Sequence, residues 1–230
     1  MGGHQNHLIE SLPSADRRAL LALCTPVDLA LSEVLWESGE LTRYAYFPID
    51  ATISLVTSIN GKPVLEVGMV GREGMVGAQL VLGVIKAPMH AVVQGGGKAL
   101  RIGSSEFRRE LARSQALNRL LHRYLYVLMS QLGRSAACLR FHPIGPRLAR
   151  WLLMTQDRAH SNSFHVTHKF LAYMLGVRRV GITTAAVALQ RAGLLEYTRG
   201  KLTVLNRRRL EAVACECYVA DRRSYAEFLA

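Results

Sequence analysis

The alternation of apolar and polar positions changes rhythm three times along the chain. Residues 8–24 space their apolar side chains as a short amphipathic helical region. From 27 to 102 the period shortens. Brief apolar runs alternate with turn residues: Val34–Trp36 before Ser38-Gly39, Tyr44–Pro48, Ile53–Ser58 before Asn60-Gly61, Val64–Val70, Ala91–Gln94 before Gly95-Gly96-Gly97, and Ala99–Ile102. This spacing predicts an all-β sandwich or barrel, and Asn60-Gly61 is the clearest hairpin signal.

Residues 104–141 turn helical. Ser104-Ser105 can cap a short helix, and a long one follows. Its Leu117, Leu121, Tyr124, Leu128, Gln131, Ser135 and Cys138 step by four and three residues in turn, the spacing of a coiled-coil seam. A helix packed on its own domain produces the same spacing. The residue before a proline is pushed out of helical geometry, so the helix should end near His142-Pro143. Another is expected from about Pro146 through Trp151 to Asp157.

The region 160–205 is the most informative. Thr167 can cap a helix running to Leu175, with Phe170, Leu171 and Met174 on one face. Gly176 suits a left-handed helix end. A second helix spans about Arg178 to Ala192, with Ile182, Ala186 and Leu189 inward, and Gly193 ends it. Leu194–Tyr197 and Leu202–Leu205 read as two strands joined by Thr198-Arg199-Gly200-Lys201. Helix, glycine turn, helix and β-hairpin make a winged helix-turn-helix.

Charge sharpens this picture. The 230-residue chain has a net charge of +12 and a pI near 10.1. Residues 142–230 hold +8 of it, and between Thr167 and Arg209 nine basic residues face one acidic residue, Glu196. Such a balance favours a polyanionic partner, nucleic acid or less often an anionic membrane, and the helix-turn-helix points to double-stranded DNA. No run of about 18 apolar residues marks a membrane span, and no charged start followed by an apolar stretch marks a secretory leader. A cytosolic protein with reduced thiols is therefore expected. The four cysteines, Cys24, Cys138, Cys215 and Cys217, form no CxxC pair and no zinc-type spacing. Cys215 and Cys217 read as neighbours on one helix, where residues two apart diverge. No metal site and no cofactor are expected.

A recognition helix buries one face and offers the other to a major groove. Arg178, Arg179, Val180, Thr183 and Thr184 lie toward the start of the second helix and outward. Arginine can pair with guanine O6 and N7, threonine with a base edge or phosphate, and valine with a thymine methyl. Thr167, His168 and Lys169 open the preceding helix and suit a phosphate. Arg199 and Lys201 at the wing tip suit backbone contacts.

At these residues the chain resembles the Crp–Fnr family of transcription regulators. The likeness is strongest over His165–Leu205 (HVTHKFLAYMLGVRRVGITTAAVALQRAGLLEYTRGKLTVL), and the order of a β-rich region followed by a long helix also fits. It implies an α+β fold in three parts: a cyclic-nucleotide-binding-like β-roll (jelly roll) sensor domain over 1–113, a dimerisation helix over 114–142, and a winged helix-turn-helix domain over 143–230. It implies a homodimer, RNA polymerase as a partner, and a small-molecule effector. It places Arg179, Val180 and Thr184 at base-reading positions, where members more often carry a glutamate and a second arginine in place of Val180 and Thr184.

Gly71-Arg72-Glu73-Gly74-Met75-Val76-Gly77 resembles the start of the family's phosphate-binding cassette, with Glu73 as the ribose ligand. Nucleotide-binding members carry an arginine about ten residues later. This chain has Ile85-Lys86-Ala87-Pro88-Met89-His90, and Lys86 can act only as a point charge. The effector candidates are thus Gly71, Glu73, Gly74 and Lys86, and cyclic AMP is not expected to bind in the usual way.

Two other classes remain in view. A β-roll metal enzyme needs clustered histidines and carboxylates, yet His90 is the sole histidine within 27–102. A winged-helix RNA-binding protein would be served by stacking aromatics, which the recognition segment lacks.

Overall fold

The computed structural model describes residues 6–58, 65–159 and 161–229. The Asn60-Gly61 hairpin turn lies outside them. Two short helices, α1 (His7–Glu10) and α2 (Ser14–Leu23), lead into seven strands: β1 (Thr25–Leu29), β2 (Val34–Trp36), β3 (Tyr44–Pro48), β4 (Thr52–Thr57), β5 (Leu65–Val70), β6 (His90–Gly95) and β7 (Gly97–Gly103). They form two antiparallel sheets, ordered β1-β7-β3 and β2-β6-β4-β5. A 3₁₀ turn covers Ala78–Leu82.

Strand β4 shows how the sheets are used. Its β-branched residues favour extended backbone, but its burial does not alternate, because both faces are covered. Ile53 and Leu55 enter the core between the two sheets, while Val56 joins Met69 in a second core shared with the C-terminal helices.

Helix α3 (Ser104–Arg113) follows β7. Its cap position is Gly103, so the expected Ser104-Ser105 cap does not form. Helix α4 (Gln115–Phe141) starts where Ser114 Oγ accepts from the Leu117 N–H, and its 27 residues span about 40 Å. His142 is its C-cap and Pro143 follows, as the sequence predicts.

The seven-residue seam of α4 is corrected by its surroundings. All of Leu117, Leu121, Tyr124, Leu128, Gln131, Ser135 and Cys138 are buried inside a single chain. Leu117, Leu121, Tyr124 and Leu128 belong to the β-roll core. The spacing therefore reports a helix packed on its own domain, and these residues do not face a second subunit. The outer stripe holds His122, Tyr126, Met129, Gly133, Ala136 and Arg140, which also step by four and three and are all exposed.

Beyond α4 come α5 (Ile144–Ala159), β8 (Ser163–His165), α6 (His168–Met174), α7 (Arg179–Arg191), β9 (Leu195–Thr198), β10 (Lys201–Val204), α8 (Arg207–Val213) and α9 (Cys217–Leu229). β8, β10 and β9 form a three-stranded sheet, one strand more than the two-strand wing predicted. Helix α9 turns back along α4. Asp221 on α9 accepts from Arg134 Nε of α4 at 2.7 Å and from Arg150 Nη2 of α5 at 2.7 Å, tying three helices at one buried carboxylate.

Candidate nucleic-acid interface and sensor region

Helices α6 and α7 meet at 110°, within the range of a helix-turn-helix pair. Thr167 caps α6 through the Phe170 N–H, which leaves its side chain committed to the helix. Gly176 makes the turn at φ 61°, a left-handed conformation that a Cβ would strain. Leu65 of β5 approaches this turn, so the motif rests against the β-roll. Ile182, Ala185, Ala186 and Leu189 are buried, whereas Arg178, Arg179, Val180, Thr183 and Thr184 are exposed along the start of α7. Val180 is 68% exposed, a large apolar side chain held in water at the helix start.

Thr183 and Thr184 donate their hydroxyl protons to the carbonyls of Arg179 and Val180, leaving lone pairs free to accept from outside. His168 departs from its expected role. Its Nδ1 lies 3.1 Å from Thr183 Oγ1, its ring stacks on Tyr197 with centroids 4.5 Å apart, and Nε2 is buried without a partner among the described residues. Burial, then the nearby Arg179 charge, pulls its pKa below the ordinary value. The ring is thus a neutral spacer between α6, α7 and the wing. Lys169 is exposed.

The wing tip is a two-residue hairpin. Thr198 pairs with Lys201, and Arg199 and Gly200 both have positive φ, 50° and 82°, as a type I′ turn requires. A cavity of about 750 Å³ lies between the β2-β6-β4 sheet and this domain; Thr167, Phe170, Arg199 and Gly200 stand on its wall, together with Val92 and Trp151. Thr167 and Arg199 therefore line the side facing the β-roll.

In the cassette, Glu73 is already occupied. Its Oε1 sits 2.6 Å from Arg158 Nη2 of α5 and accepts from the Gly71 N–H. A Cβ at Gly71 would strike Arg158, and one at Gly74 would lie 2.5 Å from Tyr124 Oη. These glycines admit the chain's own side chains, and Tyr124 Oη donates to the Met75 carbonyl at 2.8 Å. Lys86 is exposed beside Leu41. The structure does not bring it together with Glu73.

Sequence reasoning missed an adjoining cavity of about 380 Å³, lined by Arg72, Glu73, Gln131, Arg158 and Tyr225. The Gln131 amide, Arg158 Nε and the Tyr225 hydroxyl are buried there without partners among the described residues. Only the polar interruption of the α4 seam at Gln131 hinted at it.

Glu66 on β5 is the other perturbed group. It accepts from Trp151 Nε1 at 2.9 Å and lies 2.5 Å from Ser54 Oγ, which itself is 2.6 Å from Gln94 Oε1. A hydroxyl has one proton, so a protonated Glu66 satisfies both contacts of Ser54. Burial pushes its pKa up to about 7.

The cysteine reading is also corrected. Cys215 lies between α8 and α9, and Cys217 begins α9. The two do not ride one helix and diverge; they converge with Cys138 and His142.

Among the described residues, no single helix is long and apolar enough to cross a membrane. Residues 146–213 match the family model of the Crp-like helix-turn-helix domain. No curated protein matches the chain by sequence. Among solved structures, the chain is similar to the c-di-GMP-responsive global regulator CLP of Xanthomonas campestris, at 16% identity over 84% of this chain and 100% of that one, with a TM-score of 0.68. A Crp/Fnr-family regulator from Eubacterium rectale gives 16% identity, 91% and 99% coverage, and 0.68. A CRP-family regulator from Thermus thermophilus gives 20%, 82% and 96%, and 0.68. The structures carry the fold and the family model carries the DNA-binding domain: the chain is a DNA-binding transcription regulator with a Crp-like helix-turn-helix.

Proposed function

We propose that the protein is a homodimer that reads a roughly two-fold operator, with α7 of each subunit in a major groove and half-sites about one helical turn apart. The observation that carries this reading is the bare face at the start of α7, where Arg178, Arg179, Val180, Thr183 and Thr184 stand exposed above a buried apolar face. Arg179 reads a guanine, Val180 meets a thymine methyl and Thr184 accepts from a base amino group. Arg178, Lys169 and Lys201 hold phosphates, joined by Arg199 and the Thr167 end of α6 once the wing turns to DNA. His168 acts through Thr183 and not on DNA.

The subunits meet along the outer stripe of α4, from His122 through Met129 to Arg140. The working units are a β-roll over 1–113, α4 over 114–142 and the DNA-binding unit over 143–230, with α9 strapped back onto α4. The protein regulates RNA polymerase in the cytoplasm and catalyses no reaction. Its effector is a small polar molecule held in the cavity of Gln131, Arg158 and Tyr225, where three buried polar groups need partners. Binding there shifts the α4–α5 joint at Phe141–Gly145 and the docking of the helix-turn-helix turn on the β-roll. Cyclic AMP binding of the usual kind is not part of this reading, because Glu73 is paired and no arginine stands where Lys86 does.

An operator selected from a random DNA pool allows the test. Arg179→Ala should cost about 1–3 kcal/mol of specific binding and spare random DNA, while Lys201→Ala should weaken both alike. Equal losses on both DNAs for Arg179→Ala would refute its base-reading role. Calorimetry with cyclic AMP and with cyclic di-GMP should give little heat. Tight cyclic AMP binding would overturn the sensor reading.

A further inference from the structure

Three cysteines and a histidine from three segments meet where α4 ends. Cys138 lies in its last turn, His142 is its C-cap, Cys215 follows α8, and Cys217 opens α9. One ligand atom from each lies within 4.8 Å of all the others, and the three cysteines are buried. Cys138 Sγ is 3.6 Å from Cys215 Sγ, and Cys217 Sγ is 3.6 Å from His142 Nδ1.

These are the edges of a small tetrahedron. Zinc binds thiolate sulfur at about 2.3 Å and imidazole nitrogen at about 2.0–2.1 Å, which gives tetrahedral edges of about 3.75 Å between sulfurs and about 3.5–3.6 Å between sulfur and nitrogen. Both observed edges agree within about 0.2 Å, and the remaining atoms need only small side-chain rotations. An iron–sulfur cluster places its ligands on different irons and spreads them farther than one ion does.

The outer shell fits as well. With Nδ1 turned to the sulfurs, His142 Nε2 faces Glu216 Oε1 at 3.7 Å, the carboxylate–histidine pairing that orients metal-bound imidazoles. Three thiolates and one divalent ion leave one net negative charge. Arg147 and Arg150 line the same small cavity as Cys138 and offset it. The donor set supplies four protein ligands and no open position, the mark of a structural site.

We propose that Cys138, His142, Cys215 and Cys217 form a structural Cys₃His zinc site that fastens the end of the dimerisation helix to the segment between α8 and α9. His142 stands at the break between α4 and α5, so the ion fixes the joint through which the DNA-binding domain is set.

The test uses the full-length, reduced protein and cobalt(II) as the probe, with zinc as competitor. One cobalt per chain should bind with thiolate charge-transfer bands and the strong visible bands of tetrahedral coordination, and one zinc should abolish them. Cys138→Ser and Cys217→Ser should each weaken zinc binding by about 100-fold or more, the upper end of what losing even an outer-shell partner costs. Cys24→Ser, outside the cluster, should bind as the unaltered chain does. If a cysteine variant fails to fold, His142→Gln carries the same test from a partly exposed position. A pale octahedral spectrum, no binding, or unchanged affinity in folded variants overturns the proposal. So does a reduced protein that ignores both metals yet oxidises to a Cys138–Cys215 disulfide, which would make the cluster a thiol pair.

Discussion

The Glu73–Arg158 pair offers the sharpest test of how the β-roll is joined to the DNA-binding domain. Glu73 comes from the cassette and Arg158 from α5, and their charged atoms are 2.6 Å apart. Arg158 is buried, and its other side-chain hydrogen bond among the described residues is from Nη1 to the Met154 carbonyl at 2.9 Å. Glu73→Gln keeps the shape but strips the charge partner from a guanidinium that cannot shed its proton. Breaking a buried pair from one side costs about 3–5 kcal/mol. Glu73 retains 21% side-chain exposure, so the low end, about 3 kcal/mol, is the better expectation. For a chain of this size each kcal/mol moves Tm by about 2–4 °C, so Glu73→Gln should melt roughly 6–12 °C lower. Arg158→Met should also destabilise. The double variant should recover much of the loss, since replacing both charges removes the desolvation penalty together with the attraction. Thermal melts of the four proteins by circular dichroism, at one pH and salt, measure the cycle. If Glu73→Gln melts within about 2 °C of the parent, or the two losses simply add, the pair is not a buried joint and Glu73 is free for a ligand.

Three further outcomes are expected of the molecule. Glu66 has a folded pKa raised from the ordinary 4.5 to about 7, so the folded state keeps a proton that the unfolded chain releases. Its contribution is full below about pH 4.5 and is lost as pH rises to 7, up to about 3 kcal/mol at 1.36 kcal/mol per unit; the Tm of the parent relative to Glu66→Gln should fall between pH 5 and 7.5, and a constant difference would refute this. Met129→Glu places a charge on the exposed stripe of α4 and should give a folded monomer by light scattering, whereas an unchanged dimer would move the interface elsewhere. Gly74→Ala drives a methyl to 2.5 Å from the buried Tyr124 hydroxyl, and an overpacked core loses about 1–3 kcal/mol. Adding Tyr124→Phe should relieve part of that loss in chemical denaturation, and no relief would discount the clash.

The helix-turn-helix was legible because its signals are local. A cap at Thr167, glycines at 176 and 193, and the 3.6-residue period of Ile182, Ala186 and Leu189 each depend on a few neighbours in sequence. The face of α4 was not legible in the same way. Its inward seam and its outer stripe share one spacing, and only the elements packed against it in space, β5, α9, α3 and the 3₁₀ turn among them, decide which is buried. The Glu73–Arg158 joint brings together residues 85 apart in the chain, and the cysteine cluster brings together residues from 138 to 217. No spacing rule reaches that far. The packing of His168 was hidden for a related reason: an exposed helix start is the usual position for a polar side chain, but Tyr197 from the wing supplies an aromatic face on which the ring stacks.

The tip of the wing sets backbone comfort against charge. Arg199 is held at φ 50° in the first loop position of its turn, where glycine or asparagine would rest more easily and an ordinary side chain costs about 1–2 kcal/mol. Any exchange toward glycine would therefore firm the hairpin while removing the cation it presents. Under the proposed phosphate contact of Arg199, stability and affinity move in opposite directions at this one position, so selection for a more heat-resistant protein and selection for tighter DNA binding would pull the same codon apart.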